Sequence, residues 1–295
     1  MRILNFGSLN IDYVYSVSHI LRPGETLAAS KMERFAGGKG SNQTVALARA
    51  GAAVWHAGCI GADGEFLRDM HREAGVRTEF LRTVEGPTGS TVIQVEESGE
   101  NCIIYHPGAN HRITETQIAE TLANFTQGDI LLLQNEINAP AEIIRAAKAQ
   151  GMKVFFNPSP ITDAVKEYPL ELVDCFLVNE IEAAELAGTD RDPAAALAEK
   201  FPSSEIVMTL GKRGALWQHA NVRITAEGFT VRAVDTTGAG DTFTGYYLKA
   251  LCDGLPTVAA LRRACAAAAI AVGRMGAAAA IPASAEVDAF LAERK

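Results

Sequence analysis

The chain has 295 residues, 48 % apolar and 21 % charged, which suits one large α/β domain or such a domain with a small insertion. Its net charge of −8, from 27 basic and 35 acidic side chains, argues against a nucleic-acid partner, which a basic surface serves better. No apolar run approaches the about 20 residues of a membrane span. The five cysteines, Cys59, Cys102, Cys175, Cys252 and Cys265, include no C-x-x-C pair, which argues against a disulfide framework or structural zinc and suits a reduced, cytoplasmic protein. Asn5, Asn10 and Asp12 interrupt the N-terminus too early for a signal-peptide core.

From the N-terminus onward, short β-rich runs alternate with helical runs. The predicted strands are residues 2–7, 54–60, 130–134, 153–157, 175–178 and 206–209, several of them continuously apolar, as in a parallel sheet covered on both faces. Predicted helices at 39–50, 65–74 and 141–150 end at Gly51, Gly75 and Gly151, each suited to a left-handed cap. Residues 13–35 and 88–106 break the alternation. The second of these holds two β runs, 90–95 and 102–105, around Ser98-Gly99, and reads as a hairpin. The two segments either pair into one accessory sheet or form ordinary edge strands. Near the C-terminus a β run at 229–234 feeds a small-residue turn and a helix at 242–250, and residues 264–280 read as a packed helix and a loop. The fold class is α/β, with a mostly parallel sheet flanked by helices on both faces.

The turn Asp235-Thr236-Thr237-Gly238-Ala239-Gly240-Asp241 is the strongest chemical signal. Gly238, Ala239 and Gly240 allow backbone N–H groups close to an anion, and the helix behind them adds unpaired donors and a partial positive charge. Asp241 suits either a helix cap or a general base beside a phosphate. No G-x-x-x-x-G-K-[ST] and no G-x-G-x-x-G occurs, which disfavours a P-loop enzyme and a dehydrogenase. Further upstream, Gly37-Gly38-Lys39-Gly40-Ser41-Asn42 opens a helix, so its N–H groups, with Lys39 and Asn42, suit a polar ligand. Asn10 and Asp12, at the end of the first strand, share a face and suit the hydroxyls of a polyol. Asn179 with Glu182, and Thr209-Leu210-Gly211-Lys212-Arg213-Gly214, follow predicted strands at the rim where open α/β sheets bind ligands.

Together the Gly37–Asn42 and Asp235–Asp241 segments resemble those of the ribokinase-like (PfkB) family of carbohydrate kinases, and the resemblance extends over nearly the whole chain. It implies a core of residues 1–12, 37–87 and 107–295 and a β lid of residues 13–36 and 88–106. It implies ATP-dependent phosphorylation of a small sugar, D-ribose first, with another pentose, deoxyribose or a nucleoside as alternatives and a non-catalytic sensor as a remote one. Asp241 is then the base and Gly238–Gly240 the anion hole. Asn10, Asp12, Gly38, Lys39, Asn42 and Glu136 match sugar-contacting positions. Asn179, Thr209–Gly214, Gly240 and Cys265 match nucleotide-contacting ones, and Glu182 with Asn179 matches a motif tied to Mg²⁺. The resemblance also implies a homodimer through the lid. Its K⁺ site falls on Asp235, Thr237, Ala271, Arg274, Gly276 and Ala280, where Ala280 replaces a usual serine. Cys265 stands where the family offers His or Asn.

Overall fold

The computed structural model describes residues 1–294. Its first elements are β1 (Ile3–Phe6), β2 (Asn10–Val17), β3 (Lys31–Gly37), α1 (Lys39–Arg49), β4 (Val54–Ile60), α2 (Glu65–Glu73), β5 (Arg77–Thr83), β6 (Gly89–Glu96) and β7 (Asn101–His106). There follow α3 (Glu115–Leu122), β8 (Ile130–Gln134), α4 (Pro140–Ala149), β9 (Lys153–Asn157), β10 (Cys175–Asn179), α5 (Glu180–Ala187), α6 (Pro193–Lys200) and β11 (Glu205–Thr209). Last come β12 (Gly214–His219), β13 (Val222–Glu227), α7 (Ala239–Cys252), α8 (Thr257–Val272) and α9 (Ser284–Ala292).

Nine strands form the main sheet in the order β13-β12-β11-β10-β9-β8-β1-β4-β5. From β5 to β11 every neighbouring pair is parallel. The strands are short and apolar because both faces are covered, and side chains alternate between two cores. Leu4, Phe6, Leu131 and Leu133 join α3, α4, α5 and α6 on one face. Ile3, Ile130 and Leu132 join α1, α7 and α8 on the other. β1 pairs with β4 on one side and with β8 on the other, so the winding direction reverses at β1. Ligands of open α/β sheets bind beyond the C-terminal strand ends at such a reversal.

All six predicted strands are present, and Gly51, Gly75 and Gly151 have φ of 90°, 86° and 74° after their helices. The structure adds β5 and the antiparallel β12–β13 hairpin. It corrects the predicted strand at 229–234, which is irregular chain outside any sheet. The sheet already ends at β13, so the N–H groups of Val234 and Asp235 turn to the Val272 carbonyl of α8 instead (2.7 and 3.2 Å). Asn10 and Asp12 also stand differently. They do not end β1 but begin β2, beyond the Gly7-Ser8-Leu9 link.

The two segments that break the alternation pair with each other. They form a second, four-stranded sheet in the order β3-β2-β6-β7. Asp12 lies opposite Phe35 and Thr91, and Thr91 lies opposite Tyr105, so these four side chains share one face. Ile11, Tyr13 and Ala36, on the other face, pack with Leu9, Ile60 and Leu67 and so anchor this sheet to the core. Among the described residues no helix is long and apolar enough to cross a membrane.

Beneath α1 lie two buried histidines. His56 bonds through its ring to Thr44 Oγ (2.7 Å) and the Gly7 carbonyl (3.2 Å), and His71 bonds to Ser41 Oγ (2.9 Å). Burial pushes the His56 imidazole down to about 4 and the His71 imidazole well below its ordinary value. The unfolded chain therefore binds protons at these sites that the fold refuses. Stability is expected to fall as the pH drops from about 6.5 toward 4. Thermal unfolding across that interval should show a shallower decline in His56→Gln than in the unaltered chain, and equal slopes would remove His56 from the account.

Candidate active site

α1 and α7 start at the same rim of the sheet. Their crossing is close because Gly245 of α7 has no side chain: a Cβ there would lie 2.4 Å from Ala46 Cβ of α1. The start of α1 is packed as tightly. A Cβ at Gly40 would lie 2.4 Å from the Ser8 nitrogen. This approach uses up the first N–H groups of α1 inside the protein. Lys39 N–H donates to Glu136 Oε2 (2.8 Å), Gly40 N–H to Ser8 Oγ (3.2 Å) and Ser41 N–H to the Ser8 carbonyl (2.8 Å). The expectation that this Gly-rich turn offers its backbone donors to a ligand is thereby corrected for Lys39, Gly40 and Ser41, and not for Gly38, whose N–H has no acceptor among the described residues. The turn instead delivers the side chains of Lys39 and Asn42.

At α7 the arrangement is reversed. Gly238, at φ 73°, caps the helix in the left-handed region without any side-chain bond. Ala239 N–H makes a long bond to the Thr236 carbonyl (3.3 Å) and Thr242 N–H returns to the Gly238 carbonyl (2.8 Å). Gly240 and Asp241 lie in the first turn, where an α-helix provides no acceptor for their N–H groups. A Cβ built on Gly240 would meet nothing within 4 Å, so this side of the turn opens into free space. Backbone donors and helix dipole together are suited to an anion there.

Asp241 is the third residue of α7, not its cap. The residue is 8 % exposed, and its carboxylate is held from α1. Asn42 Nδ2 donates to Oδ2 (3.1 Å) and Gln43 Nε2 to Oδ1 (2.9 Å). Asn42 Oδ1 is buried without a partner, an acceptor left over beside the carboxylate. Lys39 reaches the same place. Burial works against its charge, but Asp241, Glu136 and Glu182 outweigh that and hold its ammonium above the ordinary range.

Two cavities meet at this turn. The first, of about 280 Å³, is polar and is lined by Lys39, Asn157, Asn179, Glu182, Gly238, Gly240 and Asp241 among others. The second, of about 440 Å³, is mostly apolar, with Phe229, Val231, Cys265, Ala268, Ala269 and Val272 in its walls. Thr209, Thr236, Gly240 and Phe243 border both. The irregular segment 229–234 thus forms a cavity wall where a strand was expected. Of the predicted nucleotide positions, Thr209, Gly211, Lys212, Gly214, Gly240 and Cys265 line the second cavity and Asn179 the first. Leu210 packs into the core instead, and Arg213 pairs with Glu180. Burial pushes the Cys265 thiol up to about 12, so it acts as an apolar wall. Asn179 and Glu182 form a reciprocal capping box at the start of α5, Asn179 N–H to Glu182 Oε2 (3.0 Å) and Glu182 N–H to Asn179 Oδ1 (2.8 Å).

Asn10 and Asp12 lie where the second sheet meets the core. Asn10 Oδ1 accepts from Asn110 Nδ2 (2.7 Å) and Asp12 Oδ1 from Thr91 Oγ (2.6 Å). Burial raises the Asp12 carboxyl above its usual range, only partly offset by Thr91. Gly37 leaves room for that carboxylate: a Cβ there would lie 1.9 Å from Asp12 Oδ2. Glu136 is half-buried and raised by desolvation against the pull of the Ser8 hydroxyl and Lys39. The Tyr105 hydroxyl crosses from the second sheet to donate to the Glu136 carbonyl (3.2 Å). Asn110, Gln43, Thr91 and Asn157 are site residues that sequence reasoning missed. The unbroken polar run Ser41-Asn42-Gln43-Thr44, at the start of a helix that is otherwise apolar on its inner side, was the available signal.

Of the six positions matched to a monovalent cation, Asp235, Thr237 and Gly276 are joined by hydrogen bonds, as are Ala271 and Arg274. Asp235 accepts from Thr237 N–H (2.9 Å), Thr237 Oγ (2.7 Å) and Gly276 N–H (2.9 Å). Burial opposes its charge, yet these donors hold its carboxyl below the ordinary range. The Ala271 carbonyl accepts from Arg274 N–H (3.0 Å), the Arg274 guanidinium turns to Glu286, and Ala280 is buried.

Residues 2–284 match the family model of the pfkB family carbohydrate kinases. The ribokinase of Haemophilus influenzae is 38 % identical over 97 % of this chain and 96 % of its own length. The crystal structure of ribokinase from Cryptococcus neoformans in complex with ADP is similar at TM-score 0.88 and 32 % identity, covering 100 % of this chain and 99 % of that one. The structure of Arabidopsis thaliana ribokinase complexed with ribose and ATP is similar at TM-score 0.85 and 28 % identity, covering 98 % of each chain.

Gly245→Ala tests the helix crossing that assembles the site. Overpacking of this kind is expected to lower stability by about 1–3 kcal/mol, read by urea unfolding. An unchanged midpoint would mean that α1 and α7 have slack at this contact.

Proposed function

We propose that this chain, which belongs to the pfkB family of carbohydrate kinases, transfers the γ-phosphoryl group of ATP to a hydroxyl of D-ribose, giving D-ribose 5-phosphate and ADP. The observation that carries the reading is the Asp241 carboxylate, gripped by two amides at the junction of a polar and an apolar cavity, one turn behind a glycine-rich helix start. Ribose leads because the full-length relatives named above are ribokinases, one of them bound to ribose and ATP.

In this reading the apolar cavity takes the adenine by contact with Phe229, Val231 and the Cys265 wall, and the phosphates run toward Gly240. The sugar lies between Asn10, Asp12, Gly38, Lys39, Asn42 and Glu136. Asp241 accepts the proton of the primary hydroxyl. That oxygen bonds to the γ-phosphorus as the bond to the β–γ bridging oxygen breaks, and ADP leaves. The open N–H groups of the Gly238–Gly240 turn and the Lys39 ammonium face the charge that spreads over the transferring group.

Glu182 and Asn179 would hold Mg²⁺ at the polar cavity. Among the described residues no three His, Cys, Asp or Glu side chains form a cage, and one or two oxygen ligands suit a cation that phosphates share. Bound there, Mg²⁺ would neutralise phosphate charge. K⁺ fits the oxygen donors of Asp235 and nearby backbone carbonyls, with no side-chain oxygen from Ala280.

Residues 13–36 and 88–106 act as a lid, the second sheet closing over the sugar to exclude water. Phe35, Ile103 and Tyr105, on the face it shares with Asp12, are 45 %, 56 % and 41 % exposed. A second copy covering this face would make the homodimer. Ile103→Glu should then sediment as a monomer at concentrations where the unaltered chain is a dimer, and an unaltered chain that is itself monomeric ends the proposal.

ADP release over a panel of pentoses, deoxyribose, hexoses and nucleosides, with and without K⁺, tests the activity. Ribose should give the highest kcat/KM. Asp241→Asn should lower kcat by about a thousandfold or more while ribose binding persists. Near-normal turnover in that variant would remove Asp241 from its role, and no ADP release with any acceptor would overturn the kinase assignment for this chain.

A further inference from the structure

We infer that Gln43 is a positioning residue for Asp241, and that a row of amides on adjacent strand ends of the main sheet aims it. The inference rests on the reading of Asp241 as the base. Gln43 itself is buried, 1 % exposed, and belongs to neither cavity wall. Its Nε2 donates to Asp241 Oδ1 (2.9 Å) and Asn157 Oδ1 (3.1 Å), and its Oε1 accepts from Gln134 Nε2 (2.6 Å). An amide has two N–H donors and one carbonyl oxygen. All of these groups in Gln43 are engaged, and each neighbour permits one orientation only.

The neighbours are oriented in turn. Gln134 Nε2 also donates to Asn5 Oδ1 (3.1 Å), and Asn5 Nδ2 donates to the Gly40 carbonyl (2.8 Å) and Thr44 Oγ (2.7 Å). Asn157 Nδ2 donates to the Leu177 carbonyl (2.8 Å). Asn5, Gln134, Asn157 and Leu177 belong to β1, β8, β9 and β10, four consecutive strands of the sheet. Gln134 lies directly opposite Asn157. The row therefore turns the register of the parallel strands into the direction of one N–H bond. That bond fixes which lone pair of Asp241 Oδ1 is taken and which remains for the substrate proton. Misdirection of a reacting group by a fraction of an ångström is costly in rate without affecting binding.

Gln134 discriminates this role from simple packing, since it touches neither Asp241 nor a cavity. With D-ribose and ATP as substrates, Gln43→Met is expected to lower kcat about 10- to 100-fold, with both KM values within about threefold. Gln134→Met should lower kcat by a smaller factor with the same KM pattern. The double variant should be no slower than Gln43→Met, because Gln134 acts only through Gln43. If Gln134→Met does not fold, Gln134→Glu replaces it, lacking both amide N–H donors at nearly equal size, under the same ranking. Unchanged kcat in Gln43→Met, or multiplied losses in the double variant, would overturn the inference. If Asp241→Asn is inactive while both glutamine variants are normal, only the positioning role falls. If Asp241→Asn is active, the reading beneath it falls.

Discussion

The contact between α1 and α7 is the constraint from which the rest of the site follows. It depends on atoms that are missing: a Cβ on Gly245 would collide with Ala46, and one on Gly40 with the Gly7–Ser8 backbone. Because these glycines let the end of β1, α1 and α7 close on one another, two helix starts converge at one rim. Their division of labour is chemical. The N–H groups starting α1 are spent on Ser8 and Glu136, so α1 contributes side chains. The first turn of α7 keeps open backbone donors, which suit an anion.

The second consequence is electrostatic. Lys39, Glu136 and Asp241 are gathered where water is scarce, and a buried charge is costly unless it is paired or hydrogen-bonded. Lys39 stays charged because three carboxylates surround it. Glu136 and Asp12, by contrast, are pushed toward their protonated forms by burial. Beneath them the orienting groups are the neutral amides of Asn5, Gln43, Gln134 and Asn157. Neutral amides fix direction without adding further charge to a crowded site.

Much of the architecture was legible in the chain. Continuous apolar runs such as 130–134 and glycine-stopped helices such as 39–50 identify a parallel, doubly covered sheet, and they do so because strand and helix periods follow from local geometry. The run at 229–234 was misread because its apolar residues serve a cavity wall, and apolar residues look alike whether they face a strand or a ligand. Asp241 was visible as a cap or a base. Its true place, in the first turn of a helix capped by a left-handed glycine, removes the capping alternative. Gln43 was passed over because a polar residue early in a helix is ordinarily solvated.

By itself the sequence determined the fold class, the glycine-rich turn at residues 238–240 and the acidic residue behind it. Each of these rests on neighbours a few residues apart, where backbone geometry leaves few choices. Only the tertiary structure decided what surrounds Asp241. Asn42 and Gln43 are about two hundred residues away along the chain, and Gln134 and Asn157, which hold Gln43, lie on different strands. Hydrogen-bond direction across such separations depends on helix crossing distance and strand register. These are properties of the packed molecule and have no signature in any local stretch of residues.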